Sequence, residues 1–371
     1  MKGGAGGDHV SGHRQVQPVP AAGPHGGDGA RVAAALGLDV SEVLDLSASM
    51  NPFAPDVAAV VARHLDALGR YPDPIAATAA LAARLGVDPD RVLLTNGGSE
   101  AIALVAAEIG GHVDEPEFSL LPRGGGPRWR SNPNNPSGLL APPDAAAGVW
   151  DEAFWPLATG TWTRGDGDAG AWVVGSLTKL LACPGLRAGY VLAPSASDLG
   201  AVRRRQPLWS ANGLVAEALP ELLDMVDLPA WSAGIAGLRC RLVEVLRAHG
   251  LDPAPSDACW VLVGAPGLRE TLARRGIVVR DCASFGLAGR ARIAVPDEAG
   301  LDRLAAALVS EPGGGGLDRL AAAPPPTRGG LPEHGGSPAA SFGAGNNSEV
   351  PRRDGRGESG KPVGIGTGPP R

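Results

Sequence analysis

The sequence predicts an α/β protein: a three-layer αβα domain around a mostly parallel sheet, with a smaller α+β unit. Three observations carry this. Between residues 88 and 193, short apolar runs bounded by turns alternate with Ala-rich helical stretches, the pattern of strands joined by crossover helices. From Ala211 to Gly250 apolar residues recur at helical spacing. The runs "ACWVLVGAP", "GIVVRD" and "RARIAV" then read as strands of the second unit.

Taken in order, "SEVLDLSASMNPFAP" is an apolar stretch entering a Pro-rich turn. Residues 54–74 carry helical spacing that breaks at Gly69 and the "YPDP" turn. "IAATAALAARLGV" is a second helix closed by Gly86, a C-cap glycine. "DPDRVLLTNGGSEAIALVAAEIG" reads as strand, Gly-rich turn and helix. "AWVVGSLTKLL" and "LRAGYVLA" are short apolar runs between turns.

Of the 371 residues, 44% are hydrophobic, enough for a sizeable core. Residues 1–24 and 311–371 are rich in Gly and Pro and poor in large apolar side chains; both are expected to be disordered. Residues 25–310 remain as the body, read as a small-domain N-terminal segment (25–45), a large domain (46–220) and a small C-terminal domain (221–310). The net charge is −6, with no basic patch, which argues against nucleic acid. No apolar run approaches a bilayer span and no secretion signal is visible. Four scattered cysteines without metal-ligand spacing suit free thiols in a reducing cytoplasm. "GLDRLAAA" occurs at 300–307 and 316–323, a local duplication with no assigned role.

Four stretches carry chemistry. In "LLTNGGSEAI", Gly97, Gly98 and Ser99 precede a helix whose free N–H groups suit an anion; an ordinary strand–helix turn is the alternative. "NPNNPSG" is a rigid turn presenting Asn132, Asn134 and Asn135, more asparagines than a plain turn needs. "WDEAF" puts Asp151 after an apolar run, where a carboxylate at a strand's C-terminal end handles ligands or caps a helix. "GSLTKLLACPGLRAGY" holds Lys179 in a polar turn with Arg187 in frame behind it; the lysine is either a helix-entry residue or an amine kept for covalent chemistry on a carbonyl. Together these meet the needs of pyridoxal 5'-phosphate: a lysine for its aldehyde, an aspartate for its ring nitrogen, and an anion cradle of Gly98, Ser99, Ser176 and Arg187 for its phosphate. Asn135 could donate to the ring's phenolic oxygen and Phe118 could stack on its face.

The order "GGSE … NPNNPSG … DEAF … SLTK … GLRAGY" resembles the fold-type I pyridoxal-phosphate enzymes of the aspartate-aminotransferase superfamily over most of the body. Within it, "HGG" (25–27), "DLSASMNP", "DEAF" and "VVRDCASFGL" are similar to threonine-phosphate decarboxylase of cobalamin synthesis, with histidinol-phosphate aminotransferase close by. Aminotransferase relatives tend to carry Tyr where Phe154 stands. The resemblance implies a cytoplasmic homodimer acting on a small phosphorylated amino acid, with Tyr71 reaching the partner's site. It also implies that Arg292 binds the substrate carboxylate and Arg280 its phosphate, assisted by His25. The bland alternative for both arginines is surface ion pairing.

The sequence departs from that pattern. Only residues 119–131 separate Phe118 from Asn132, and only 139–150 lie between Gly138 and Asp151, too few for a helix plus a full strand. Peripheral elements of the large sheet are expected to be missing, and Ser49 stands where relatives usually carry Asn. The implied reaction is decarboxylation of O-phospho-L-threonine to aminopropanol phosphate. The alternatives are transamination of histidinol phosphate or, given the short segments, cofactor binding without turnover.

Overall fold

The computed structural model describes residues 17–309. Its ten strands are β1 (Leu44–Leu46), β2 (Val92–Asn96), β3 (His112–Val113), β4 (Arg128–Ser131), β5 (Val149–Asp151), β6 (Trp172–Ser176), β7 (Ala188–Leu192), β8 (Trp260–Gly264), β9 (Ile277–Asp281) and β10 (Arg290–Ala294). The large sheet has the order β2-β7-β6-β5-β4-β3, with β7 alone running against its neighbours. Alternate residues of its strands face opposite ways, as the pleat requires. Leu94, Val173 and Leu192 enter a core with the helices Ile75–Leu85 and Gly213–Asp224. Leu93, Val174 and Val191 enter another with the helices Gly98–Ile109 and Ala196–Arg203. The three-layer arrangement expected from the alternation is therefore present. The smaller sheet has the order β1-β9-β10-β8, β1 parallel to β9 and β10 antiparallel to both neighbours.

The helix Ile75–Leu85 does stop on Gly86, which takes the left-handed conformation. The helical run expected to continue to Gly69 is divided instead: an α-helix spans Val57–Ala62 and a 3₁₀ turn spans Leu65–Gly69. The large-domain boundary expected at residue 220 falls inside the helix Gly213–Asp224, whose Leu222 and Leu223 belong to the large core. The handover comes later, within Leu228–Ala248: its Trp231 and Ile235 pack in the large core, and its Leu238, Leu242 and Leu246 in the small one.

Residues 17–24 correct the expectation of disorder up to Pro24. Val19 packs against Val32 and Val278, and arginines bond the backbone carbonyls of the segment: Arg269 to Pro20 O (2.8 Å) and Arg280 to Gly23 O (2.7 Å). A segment poor in large side chains is held through its main chain, which composition does not reveal. Residues 1–16 and the tail 311–371, with the second "GLDRLAAA" copy, lie outside the described residues; the first copy forms part of the helix Glu298–Leu308.

The shortened 132–148 connection contains no helix, and β5 has only three residues. Arg164 covers that side of the sheet. Its guanidinium lies 4.5 Å from the centre of the Trp150 ring and donates to the carbonyls of Pro142, Pro143 and Ala145.

Candidate active site

Because β2, β4, β5 and β6 run the same way, their C-terminal ends share one edge of the sheet, where ligands of open α/β sheets bind. Gly97–Ser99 follow β2, the asparagine turn follows β4, Asp151 ends β5, and Ser176 ends β6 just before Lys179. The reversed β7 starts at that edge, Gly189 opposite Ser176 and Ala188 opposite Asn96, which brings Arg187 there too. One cavity of about 770 Å³ is lined by Gly98, Ser99, Phe118, Asn135, Asp151, Ser176, Lys179 and Arg187, together with His25, Arg280 and Arg292 from the small-domain side. Tyr71 is the exception among the expected residues. It lies outside this cavity, 76% exposed, stacked 4.4 Å from Trp209.

Lys179 sits in a one-turn helix, Leu177–Leu180, fastened by Asn51, which donates its backbone N–H to Lys179 O (3.1 Å) and its side-chain Nδ2 to Leu180 O (2.9 Å). Burial, then the positive Arg292 and Arg187, push the amine down to about 8, so it is neutral far more often than a surface lysine. Asp151 is buried, and desolvation raises its carboxyl to about 7, with the Glu117 charge adding and Lys179 opposing. Its Oδ1 accepts from Ala153 N (3.0 Å), and no cation pairs with it among the described residues. A buried carboxylate so placed suits a protonated ring nitrogen, which would supply the missing positive charge.

The anion cradle has a steric logic. Gly97 adopts φ 79°, and a Cβ there would fall 2.4 Å from Arg187 Nη2, so glycine lets the guanidinium lie against the helix N-terminus. Arg187 itself takes a left-handed backbone (φ 62°), an uncommon conformation that clusters at functional sites. Helix N–H groups, two hydroxyls and a guanidinium form a donor set fitted to a phosphate dianion. The residues present thus fit pyridoxal phosphate: Lys179 for its aldehyde, Asp151 for its nitrogen and this cradle for its phosphate.

Arg280 and Arg292 are directly opposite each other on β9 and β10. Both are buried, 3% and 6% exposed, which removes the surface-ion-pair alternative. Among the described residues neither has a carboxylate within ion-pair distance. Arg292 donates to Asn135 Oδ1 (2.6 Å), leaving the amide nitrogen of Asn135 for another partner, and lies 4.9 Å from the Trp260 ring centre. Burial lowers its pKa to about 10. Arg280 donates to Gly23 O, Pro24 O and Ser284 Oγ. Burial and the Arg280 charge together lower the pKa of His25.

Sequence reasoning missed three supporting groups. Ser47 Oγ accepts from Gly27 N (2.8 Å), and Asp45 from Gly29 N (2.9 Å), which seats the "HGG" segment beside the cavity. Asn51 anchors the lysine turn. All lie in "DLSASMNP", whose composition carries no sign of long-range bonding. Ser49, singled out for its departure, lines the cavity with its Oγ unpartnered among the described residues.

Fold and site together define a pyridoxal-phosphate enzyme of the α/β type. The profile "Aminotransferase class I and II" matches residues 130–308. Threonine-phosphate decarboxylase of Salmonella typhimurium is 30% identical, the match covering 75% of this chain and 94% of that protein. Histidinol-phosphate aminotransferase 2 of Ralstonia nicotianae is 27% identical, over 72% and 88%. The structure of L-threonine-O-3-phosphate decarboxylase from Porphyromonas gingivalis superposes with a TM-score of 0.61 at 22% identity, over 72% and 98%. The chain belongs to the class I and II aminotransferase family of pyridoxal-phosphate-dependent enzymes.

Proposed function

We propose that this enzyme decarboxylates O-phospho-L-threonine to aminopropanol phosphate, a step of cobalamin synthesis, as a homodimer completed by Tyr71 of each subunit. The observation that carries the reading is the facing pair Arg280 and Arg292. Like charges directly opposite on adjacent strands repel, and burial without a carboxylate adds a desolvation cost. A substrate with two separated anions, a carboxylate at Arg292 and a phosphate at Arg280 and His25, relieves both.

Bound pyridoxal phosphate supplies an electron sink for the pair left when a bond to an amino-acid Cα breaks. Here the Cα–carboxylate bond breaks, carbon dioxide leaves, and a proton takes the carboxylate's place. Lys179 Nζ, its pKa lowered into the working range, is the proton carrier we assign to that delivery. Asp151 holds the proton on the ring nitrogen, and Phe118 covers the ring face. Phe154, packed 4.7 Å from the Trp260 ring centre, brings no hydroxyl to the ring, which leaves Asn135 as the donor to the phenolic oxygen.

A glutamate-dependent aminotransferase also handles two anions, so the second reading stands on the same arginines. Product analysis separates the two. Incubation with phosphothreonine should release carbon dioxide without an amino acceptor, whereas a transaminase would need a 2-oxo acid and release none. Phosphothreonine should bind far more tightly than threonine, and Arg280→Ala should erase that preference. Equal binding of the two by the wild-type protein would refute the phosphate assignment.

A further inference from the structure

Glu117, the residue before Phe118, is 3% exposed and carries no ion pair among the described residues. Its carboxylate gathers four donors instead. Oε1 accepts from Phe118 N (2.9 Å) and from Ser131 Oγ; Oε2 accepts from Ser131 N (3.0 Å) and Asn134 Nδ2 (3.2 Å). Ser131 Oγ in turn accepts from Asn135 N (2.8 Å). One buried carboxylate therefore fastens the backbone of Phe118, and through one hydroxyl the backbone of Asn135. These are the two residues assigned to the face and the phenolic oxygen of the cofactor ring. Among the described residues no hydrogen bond from Gly97–Ser99 or from Leu177–Leu180 fixes either of them.

We propose that Glu117 is a positioning residue of the cofactor site, setting Phe118 directly and Asn135 through Ser131, so that ring face and ring oxygen are met by one rigid unit. The proposal rests on the cofactor and not on which amino acid is decarboxylated or transaminated. Charged groups facing Glu117 are Asp151 at the end of β5, Arg130 on β4, and Glu115, which is paired with Arg123. Replacing the carboxylate by an amide turns one acceptor oxygen into a donor that confronts donors. Asn135 then loses its fixed place, and its bond to Arg292 no longer holds it against the ring.

The test uses the full chain in its apo and cofactor-loaded forms. Three quantities are measured for wild type, Glu117→Gln, Ser131→Ala, Asn135→Ala and the double variant Glu117→Gln/Asn135→Ala. They are the Kd of pyridoxal phosphate for the apoprotein, from quenching of tryptophan fluorescence; the pH midpoint of the bound cofactor's spectral transition; and the Tm of the apoprotein. Glu117→Gln should weaken cofactor binding about tenfold, the scale on which outer-shell partners act, and move the spectral midpoint by about half a pH unit or more. Ser131→Ala should move both in the same direction by less. In the double variant the effects should fall well short of additive, because the two residues act as one unit. A lowered apo Tm with unchanged Kd and unchanged spectral midpoint would make Glu117 a staple of the fold and overturn the proposal. Should Glu117→Gln fail to fold, an unmoved midpoint in Ser131→Ala overturns it equally, and a moved one supports it.

Discussion

Arg164 and Arg280 use one device at two places in the molecule. Each lays a guanidinium over an aromatic ring, Trp150 at 4.5 Å and Phe285 at 5.4 Å, and grips the carbonyls of a helix-free segment. They differ in company. Arg164 has Asp166 at 3.3 Å, while Arg280 has no carboxylate within ion-pair distance among the described residues and faces a second unpaired arginine. The same contrast holds for acids, since Asp166 has its arginine and Asp151 forms no ion pair among the described residues. At Arg164 the charge is paired; at Arg280, Arg292 and Asp151, which line the cavity, each charge lacks an opposite one among the described residues, an arrangement that a charged ligand would complete.

The largest break in that contrast should come from Asp151→Asn, which keeps shape and removes a single charge. The rate should fall by about two to four orders of magnitude at saturating cofactor. Stability should move the other way. The folded carboxyl titrates near 7 against an ordinary 3.8, so the native chain holds an extra proton between those values and loses stability as pH rises through them. The apo variant should therefore be more stable than wild type at pH 8, on the order of 1–3 kcal/mol, with the gap closing near pH 4. Urea titrations at the two pH values would measure this, and a less stable variant at pH 8 would contradict it.

Arg164→Ala should do the reverse, because it breaks a paired charge away from the cavity. Loss of its carbonyl bonds and the stranding of Asp166 should cost about 1–3 kcal/mol, a fall of several degrees in Tm, with kcat/KM changed less than about threefold. Equal damage to activity and stability would erase the distinction between cover and cavity.

The smallest and sharpest effect concerns Lys179. Its amine is lowered from 10.5 to about 8, and the role proposed for it, taking up the cofactor's aldehyde, requires the neutral form. Capture of pyridoxal phosphate by the apoprotein, followed by stopped-flow absorbance, should rise about tenfold per pH unit below 8 and level off above it. A rise continuing to pH 10 would mean an ordinary solvated lysine.

The chemistry at the strand ends was legible because it is local: a glycine turn, an asparagine turn, an aspartate after an apolar run and a lysine in a polar turn each occupy a few consecutive residues. Arg280 and Arg292 were legible as candidates, but their direct opposition depends on strand register, which spacing alone does not set. Glu117 escaped notice because its meaning comes from Ser131, Asn134 and Phe118 across a turn. The docking of residues 17–24 escaped for a related reason: its bonds run from distant arginines to main-chain carbonyls, and carbonyls leave no mark on composition.

The 21-residue helix Leu228–Ala248 has one half in each core, and Gly234 and Gly237 lie where it changes allegiance. It works as an axle through both halves of the enzyme. Phe53 occupies the space a Cβ on Gly234 would need, but among the described residues nothing lies within 4 Å of one on Gly237. Heat that loosens one core must unwind part of what holds the other, so melting is expected to be a single cooperative event. The glycine pair, the least bulky stretch of the axle, sits at the seam between the core under the large sheet and the core under the small one.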